Sequence, residues 1–209
     1  MFIKNLIIME KNLTPEESLQ IIQKSIFHSR KNLREGSFYY LLWGWALMLA
    51  GLANYFLISH YIRLEHYDSI MPMSLLAWGV FVVAAMIIQF AVIARSSKGE
   101  RVITHLDRYI KIIWIAAGLL MALMAFLSLR VDSYPTPFIL GVTAMATAVS
   151  GLMIRFRPLV AGSAIFLIAA VVAIYLKGTD QLLVFSGAMI LGYLVPGYIL
   201  RYSKNGDHV

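Results

Sequence analysis

The sequence predicts an all-α membrane protein, a bundle of six transmembrane helices preceded by an amphipathic cytoplasmic helix. Three observations predict it. Six long apolar stretches contain no Asp, Glu, Lys, Arg or His and together fill more than half of the 209-residue chain. None of them alternates apolar with polar residues, as the roughly ten-residue strands of a membrane barrel must. The 18 Lys and Arg residues, finally, collect in alternate connecting segments instead of spreading evenly.

The amino-terminal segment, residues 1–37, precedes the first span and carries its own pattern. Met1 to Met9 holds one Lys and an apolar run too short for a signal core, with no small-residue cleavage site after it. Insertion is therefore expected to use the spans themselves, and Met9 stands as a second candidate start. Thr14-Pro15-Glu16-Glu17 reads as a helix start, with a capping hydroxyl, proline in the first turn and a Glu three residues after the cap. The helix is expected over about 14–35. Leu19, Ile22, Ile26 and Leu33 fall on one face at helical spacing, and Lys24, Arg30, Lys31 and Arg34 gather towards its carboxyl end. Two partners suit that pattern. One is the lipid bilayer itself, with anionic headgroups attracting the four bases. The other is a protein docked on the apolar stripe.

The transmembrane domain, residues 38–200, is expected to cross at 38–59, 70–94, 112–129, 138–154, 159–176 and 182–200. A helix rising about 1.5 Å per residue needs about 17 to 25 residues for a hydrocarbon core of about 30 Å, and it satisfies its own backbone polar groups on the way. The first span opens on Phe38, Tyr39, Tyr40, Trp43 and Trp45, the third on Trp114, and the sixth closes on Tyr198 and Tyr202. These rings are expected to serve as interfacial anchors. Between the second and third spans, Arg101, His105 and Arg108 share a helical face. A phosphate or headgroup groove is one reading there and a solvated face the simpler one.

In the fourth span Gly141, Ala144, Ala148 and Gly151 recur at helical spacing, a small-residue face that suits close helix packing within the chain or in a homo-oligomer. Arg155-Phe156-Arg157-Pro158 leaves only a tight turn, so spans four and five are expected to form a hairpin. The sixth span contains Gly192, Pro196 and Gly197, candidates to unwind or kink it. The tail, residues 201–209, carries Arg201 and Lys204.

Sorting the bases by alternate segments puts fifteen on one side and three, Arg63, Arg130 and Lys177, on the other. The positive-inside rule then places both termini in the cytoplasm. The net charge of +7 follows from those loops, so no nucleic-acid partner is implied. With no cysteine there is no thiol nucleophile and no cysteine-held metal. His60 and His66 lie near Glu65 and Asp68 without the spacing of a helical zinc pair. Nucleophile elbow, phosphate-binding glycine loop and carboxylate cluster are all missing, so neither catalysis nor a cofactor is expected. Uncharged spans argue against an ion-coupled transporter, while a path for a neutral or lipophilic solute stays open as the alternative to a non-enzymatic subunit or regulator.

Glu17-Ser18-Leu19-Gln20-Ile21-Ile22, Leu41-Leu42-Trp43-Gly44-Trp45 and Leu191-Gly192-Tyr193-Leu194-Val195-Pro196-Gly197-Tyr198 together resemble a family of small, uncharacterised bacterial six-span membrane proteins. The resemblance implies a bacterial inner-membrane location and carries no activity, cofactor or site residue with it.

Overall fold

The computed structural model describes residues 15–96, 105–131 and 134–202, and these are helices joined by short turns, with no strand among them. In chain order the helices are α1 (Pro15–Arg63), α2 (Tyr67–Ser96), α3 (His105–Val131), α4 (Thr136–Met153), α5 (Arg157–Tyr175) and α6 (Asp180–Tyr202). Each contains one segment long and apolar enough to cross a membrane, from Ser37–Arg63 in α1 to the whole of α6. These segments agree with the expected spans to within a few residues at most ends.

The amino-terminal part differs from expectation. The helix expected over 14–35 does not end before the first span but runs into it, giving a single α1 of 49 residues, roughly 70 Å at about 1.5 Å per residue. Glu35-Gly36-Ser37 contains no proline and lies within that unbroken helix. Thr14, the turn at 97–99 and Arg101 lie outside the described residues. So do the side chains of 15–36, and with them the apolar stripe of Leu19, Ile22, Ile26 and Leu33 and the bases Lys24, Arg30, Lys31 and Arg34.

In a membrane the lipid tails are as apolar as leucine, so helices associate through close packing and polar bonds rather than by escape from solvent. Glycines set the closest approaches here. A Cβ on Gly44 would meet the Leu194 side chain at 2.8 Å, one on Gly51 would run into the Ser186 hydroxyl, and one on Gly197 would meet Leu41 at 3.0 Å. These contacts pair α1 with α6 antiparallel, from Leu41 against Gly197 to Gly51 against Ser186. A Cβ on Gly162 of α5 would likewise lie 2.5 Å from the Gly192 carbonyl oxygen of α6. The core they enclose, between α1, α4, α5 and α6, holds Met48, Leu140, Phe166, Phe185, Met189 and Tyr193.

Two short turns close with the same hydrogen bonds. After α1, His66 N–H donates to the Tyr61 carbonyl and Glu65 N–H to that of Ile62, with Glu65 at φ 58°. After α4, Phe156 N–H donates to Gly151 and Arg155 N–H to Leu152, with Arg155 at φ 54°. Both are Schellman closures, which satisfy the last carbonyls of a helix through one left-handed residue. The second forms the expected hairpin, in which α4 and α5 pack closely along one another.

Candidate functional site

Of the aromatic residues expected at the membrane surface, Tyr40, Trp43 and Trp114 turn inward, whereas Trp45, Tyr198 and Tyr202 stay exposed. Tyr40 packs on Tyr193 at 5.9 Å between ring centroids, with its hydroxyl near Ser150 of α4. Trp114 of α3 reaches the same Tyr193 at 6.2 Å, and Phe166 of α5 meets it edge-on at 4.7 Å. Tyr193 is itself 2% exposed, and its hydroxyl shares a 3.0 Å hydrogen bond with Thr147. Four helices thus converge on one ring. Trp43 also leaves the anchoring role, donating its indole N–H to Gln89 of α2 at 2.7 Å. Trp45, exposed, donates to the Tyr198 hydroxyl at 3.1 Å.

α2 and α3 make no close backbone approach to one another among the described residues. α2 lies along α1 and α3 along α4. α1 and α4 also keep their backbones apart, and only side chains such as Tyr40 and Ser150 bridge them. Each flanking helix sends one tryptophan through that opening onto α6. Trp78 meets Phe185 edge-on at 5.5 Å, and Trp114 meets Tyr193. We read the gap between α2 and α3, whose backbones do not meet, as a lateral groove whose floor is formed by Trp78 and Trp114 with the neighbouring half-buried residues Tyr40, Leu47 and Ile139, all packed against the core. Of the apolar segments of α2 and α3 only 11% and 6% is buried, against 50% for α6. The walls of the groove are therefore apolar surface.

Position along the groove follows from the antiparallel pairing of α1 with α2. Asn54 lies about three turns beyond Trp43, and Trp78 about three turns before Gln89, so the Trp43–Gln89 bond sets Asn54 and Trp78 level. Asn54 is 2% exposed and its Oδ1 accepts no hydrogen bond. A buried amide oxygen with no donor is costly in such surroundings.

α6 does not unwind at its proline. It widens into one π-helical turn, Ile190–Leu194, and resumes as α-helix from Val195, whose N–H donates to the Ile190 carbonyl five residues back. The physical cause lies in Pro196, which has no N–H for the Gly192 carbonyl four residues earlier. Gly162 of α5 crosses at this carbonyl, where an added Cβ would lie 2.5 Å from the oxygen, so the widened turn is packed directly against a residue with no side chain. Gly192 is needed on the other side too, since a Cβ there would lie 2.5 Å from the Phe166 ring. Of the three expected helix-breaking residues, Gly192 and Pro196 shape the turn, while Gly197 packs on Leu41 inside regular helix.

The small face of α4 divides. Gly151 sits against Val160, where a Cβ would come within 3.0 Å, and Ala144 is buried in the core, but Ala148 is half-buried and a Cβ on Gly141 would meet nothing within 4 Å. Gly141 therefore makes no close approach, because the residues that lock the bundle are the glycines of α1, α5 and α6. Gly44, Gly51 and Gly162 escaped the sequence reading. They recur on no single span with the regularity that flagged α4, although Gly44 and Gly51 do stand seven residues, about two turns, apart.

The described bases segregate by end. Arg95, Arg108, Lys111, Arg155, Arg157 and Arg201 mark one end of the bundle and Arg63, Arg130 and Lys177 the other, all of them exposed. Among the described residues no three His, Asp or Glu side chains come together in a way that could hold a metal ion. What the fold defines is a multi-pass membrane protein of six helices. Comparison with known protein families, curated proteins and solved structures finds no match, so the groove and its chemistry carry the functional reading.

Proposed function

We propose that this is a non-enzymatic integral membrane protein that acts through lipid or protein contacts, its membrane-embedded contact being the groove between α2 and α3. The observation that carries the proposal is the convergence of Trp78 and Trp114 on α6 from two helices whose backbones do not meet. Aromatic rings on an apolar, charge-free floor suit an acyl chain or another lipophilic guest, since they offer broad contact area at little rotamer cost. On this reading the basic end faces the cytoplasm of a bacterial inner membrane, where the amino-terminal part of α1 meets anionic headgroups or a partner protein.

Native mass spectrometry of the detergent-extracted protein tests it. Wild type is expected to retain bound lipid that the Trp114→Ala variant loses. Identical lipid occupancy in the two would remove the groove from the reading.

The π-helical turn supports a second reading, a small transporter or channel for an uncharged or lipophilic solute, because such turns mark helices that rearrange and gather at functional sites. Solute flux in liposomes that vanishes on Pro196→Ala would favour it.

A further inference from the structure

Beyond holding a chain, the groove has a chemically distinct end, and we infer that it selects an anionic glycerophospholipid from the leaflet on the basic side of the bundle. This rests on the groove reading above and adds the headgroup to it. α2 finishes and α3 begins at the same end of the bundle, and among the described side chains there Arg95, Arg108 and Lys111 stand exposed. Lys111 lies one turn before Trp114, and so on the same face of α3, below the ring that enters the core. A base on that face carries its ammonium to the headgroup level while its stem lines the groove.

Above this rim the groove is apolar and long enough. The level of Trp114 is that of Tyr40, and the level of Trp78 is that of Asn54, which puts them about 20 Å apart along α1. One leaflet of an approximately 30 Å core is about 15 Å deep, so a whole acyl chain lies along the floor with its phosphate among Lys111, Arg108 and Arg95. Phosphate oxygens accept charge-assisted hydrogen bonds from both guanidinium and ammonium groups.

A second copy of the chain fits less well. Related by a two-fold axis along the membrane normal, it would bring the same three bases against themselves at the same depth. A zwitterionic lipid would fill the floor but return no net charge to the rim. The combination of an uncharged aromatic floor with three bases at one end, against a single base, Arg130, with the acid Asp68 at the other, is complementary to an anionic lipid in one orientation.

Tryptophan quenching in proteoliposomes tests this directly. The full-length protein with Trp43, Trp45 and Trp78 replaced by Phe keeps Trp114 as its one tryptophan, excited selectively at the red edge of indole absorption. It is reconstituted in phosphatidylcholine containing a few per cent of brominated lipid, either phosphatidylglycerol or phosphatidylcholine. Severalfold stronger quenching by brominated phosphatidylglycerol is expected, falling to the phosphatidylcholine level in the added variant Arg108→Gln/Lys111→Gln. Equal quenching by the two brominated lipids overturns headgroup selection and leaves the groove reading standing. Absence of quenching by either overturns both. If the triple Phe variant does not fold, the wild-type signal minus that of Trp114→Phe gives the same comparison.

Discussion

Replacing Gly162 with Ala places a single methyl group where α5 crosses the π-helical turn of α6, and its cost can be worked from the geometry. The added Cβ would sit 2.5 Å from the Gly192 carbonyl oxygen, about 0.9 Å short of ordinary contact at 3.4 Å, and the obstacle is backbone that no rotamer change can move. The helices must part by nearly that distance. A gap of 0.5–1 Å forfeits about a quarter to a half of each contact's well of about 0.1–0.2 kcal/mol, so over about 40 atom pairs the loss is about 1–4 kcal/mol, centred near 2. Alanine returns up to about 1 kcal/mol of helix propensity. Gly141→Ala supplies the control, because there the new methyl meets nothing within 4 Å and only the propensity gain remains. In the difference between the two variants the propensity term cancels, leaving about 2 kcal/mol. For a chain of this size that corresponds to Gly162→Ala melting about 4–8 °C below Gly141→Ala in thermal unfolding of the detergent-solubilised protein. Equal melting temperatures for the two would refute the close crossing of α5 and α6.

Tyr193→Phe removes the hydroxyl bonded to Thr147 and is expected to lower stability by about 0.6–1.5 kcal/mol in the same assay, with the ring contacts kept. Ala144→Leu overfills the core beside Leu140 and Phe166 and should cost about 1–3 kcal/mol, whereas Ala148→Leu, at a half-buried position, should cost less. Single cysteines placed at Asp68 and Asp180 in this cysteine-free chain should label from outside intact cells, and at Gly99 and Gly206 only after permeabilisation; outside labelling of Gly99 would sink the orientation with both termini inside. An environment-sensitive dye at Gln23→Cys in proteoliposomes should shift to the blue with anionic lipid and revert at high salt or when Lys24, Arg30, Lys31 and Arg34 are all changed to Glu. A response equal in neutral lipid would remove charge as its cause.

The number and bounds of the spans were legible because hydrocarbon thickness sets helix length and excludes charge, two constraints written directly into composition. The α4–α5 hairpin was legible for a similar reason, the brevity of Arg155-Phe156-Arg157-Pro158. Which face of each helix turns inward was not. In a soluble helix a polar stripe marks the outside, but here lipid and core are equally apolar, so Trp114 pointing at Tyr193 and Ile115 pointing at lipid look alike in sequence. Tyr40, Trp43 and Trp114 carried the signature of interfacial anchors and proved to be packing groups, since a ring near a helix end serves either role according to the azimuth of its Cα. In α6 the proline was visible, but its accommodation depends on Gly162, thirty-four residues away, and no local pattern reports that pairing. The continuity of α1 was hidden by Gly36, which reads as punctuation yet lies inside the helix.

The two Schellman closures place non-glycine residues in the left-handed region, Glu65 at one end of the bundle and Arg155 at the other, where a side chain costs about 1–2 kcal/mol. Glycine would suit either turn better. The residues found there give these two reversals opposite charges, acid where the described bases are scarce and base where they crowd. Both turns carry a charged side chain at a position where glycine would be conformationally easier. Glu65→Gly and Arg155→Gly are thus expected to yield a hardier folded protein whose hairpins enter the membrane with less directional bias, so that gain in endurance and loss of fidelity in insertion come from the same atoms.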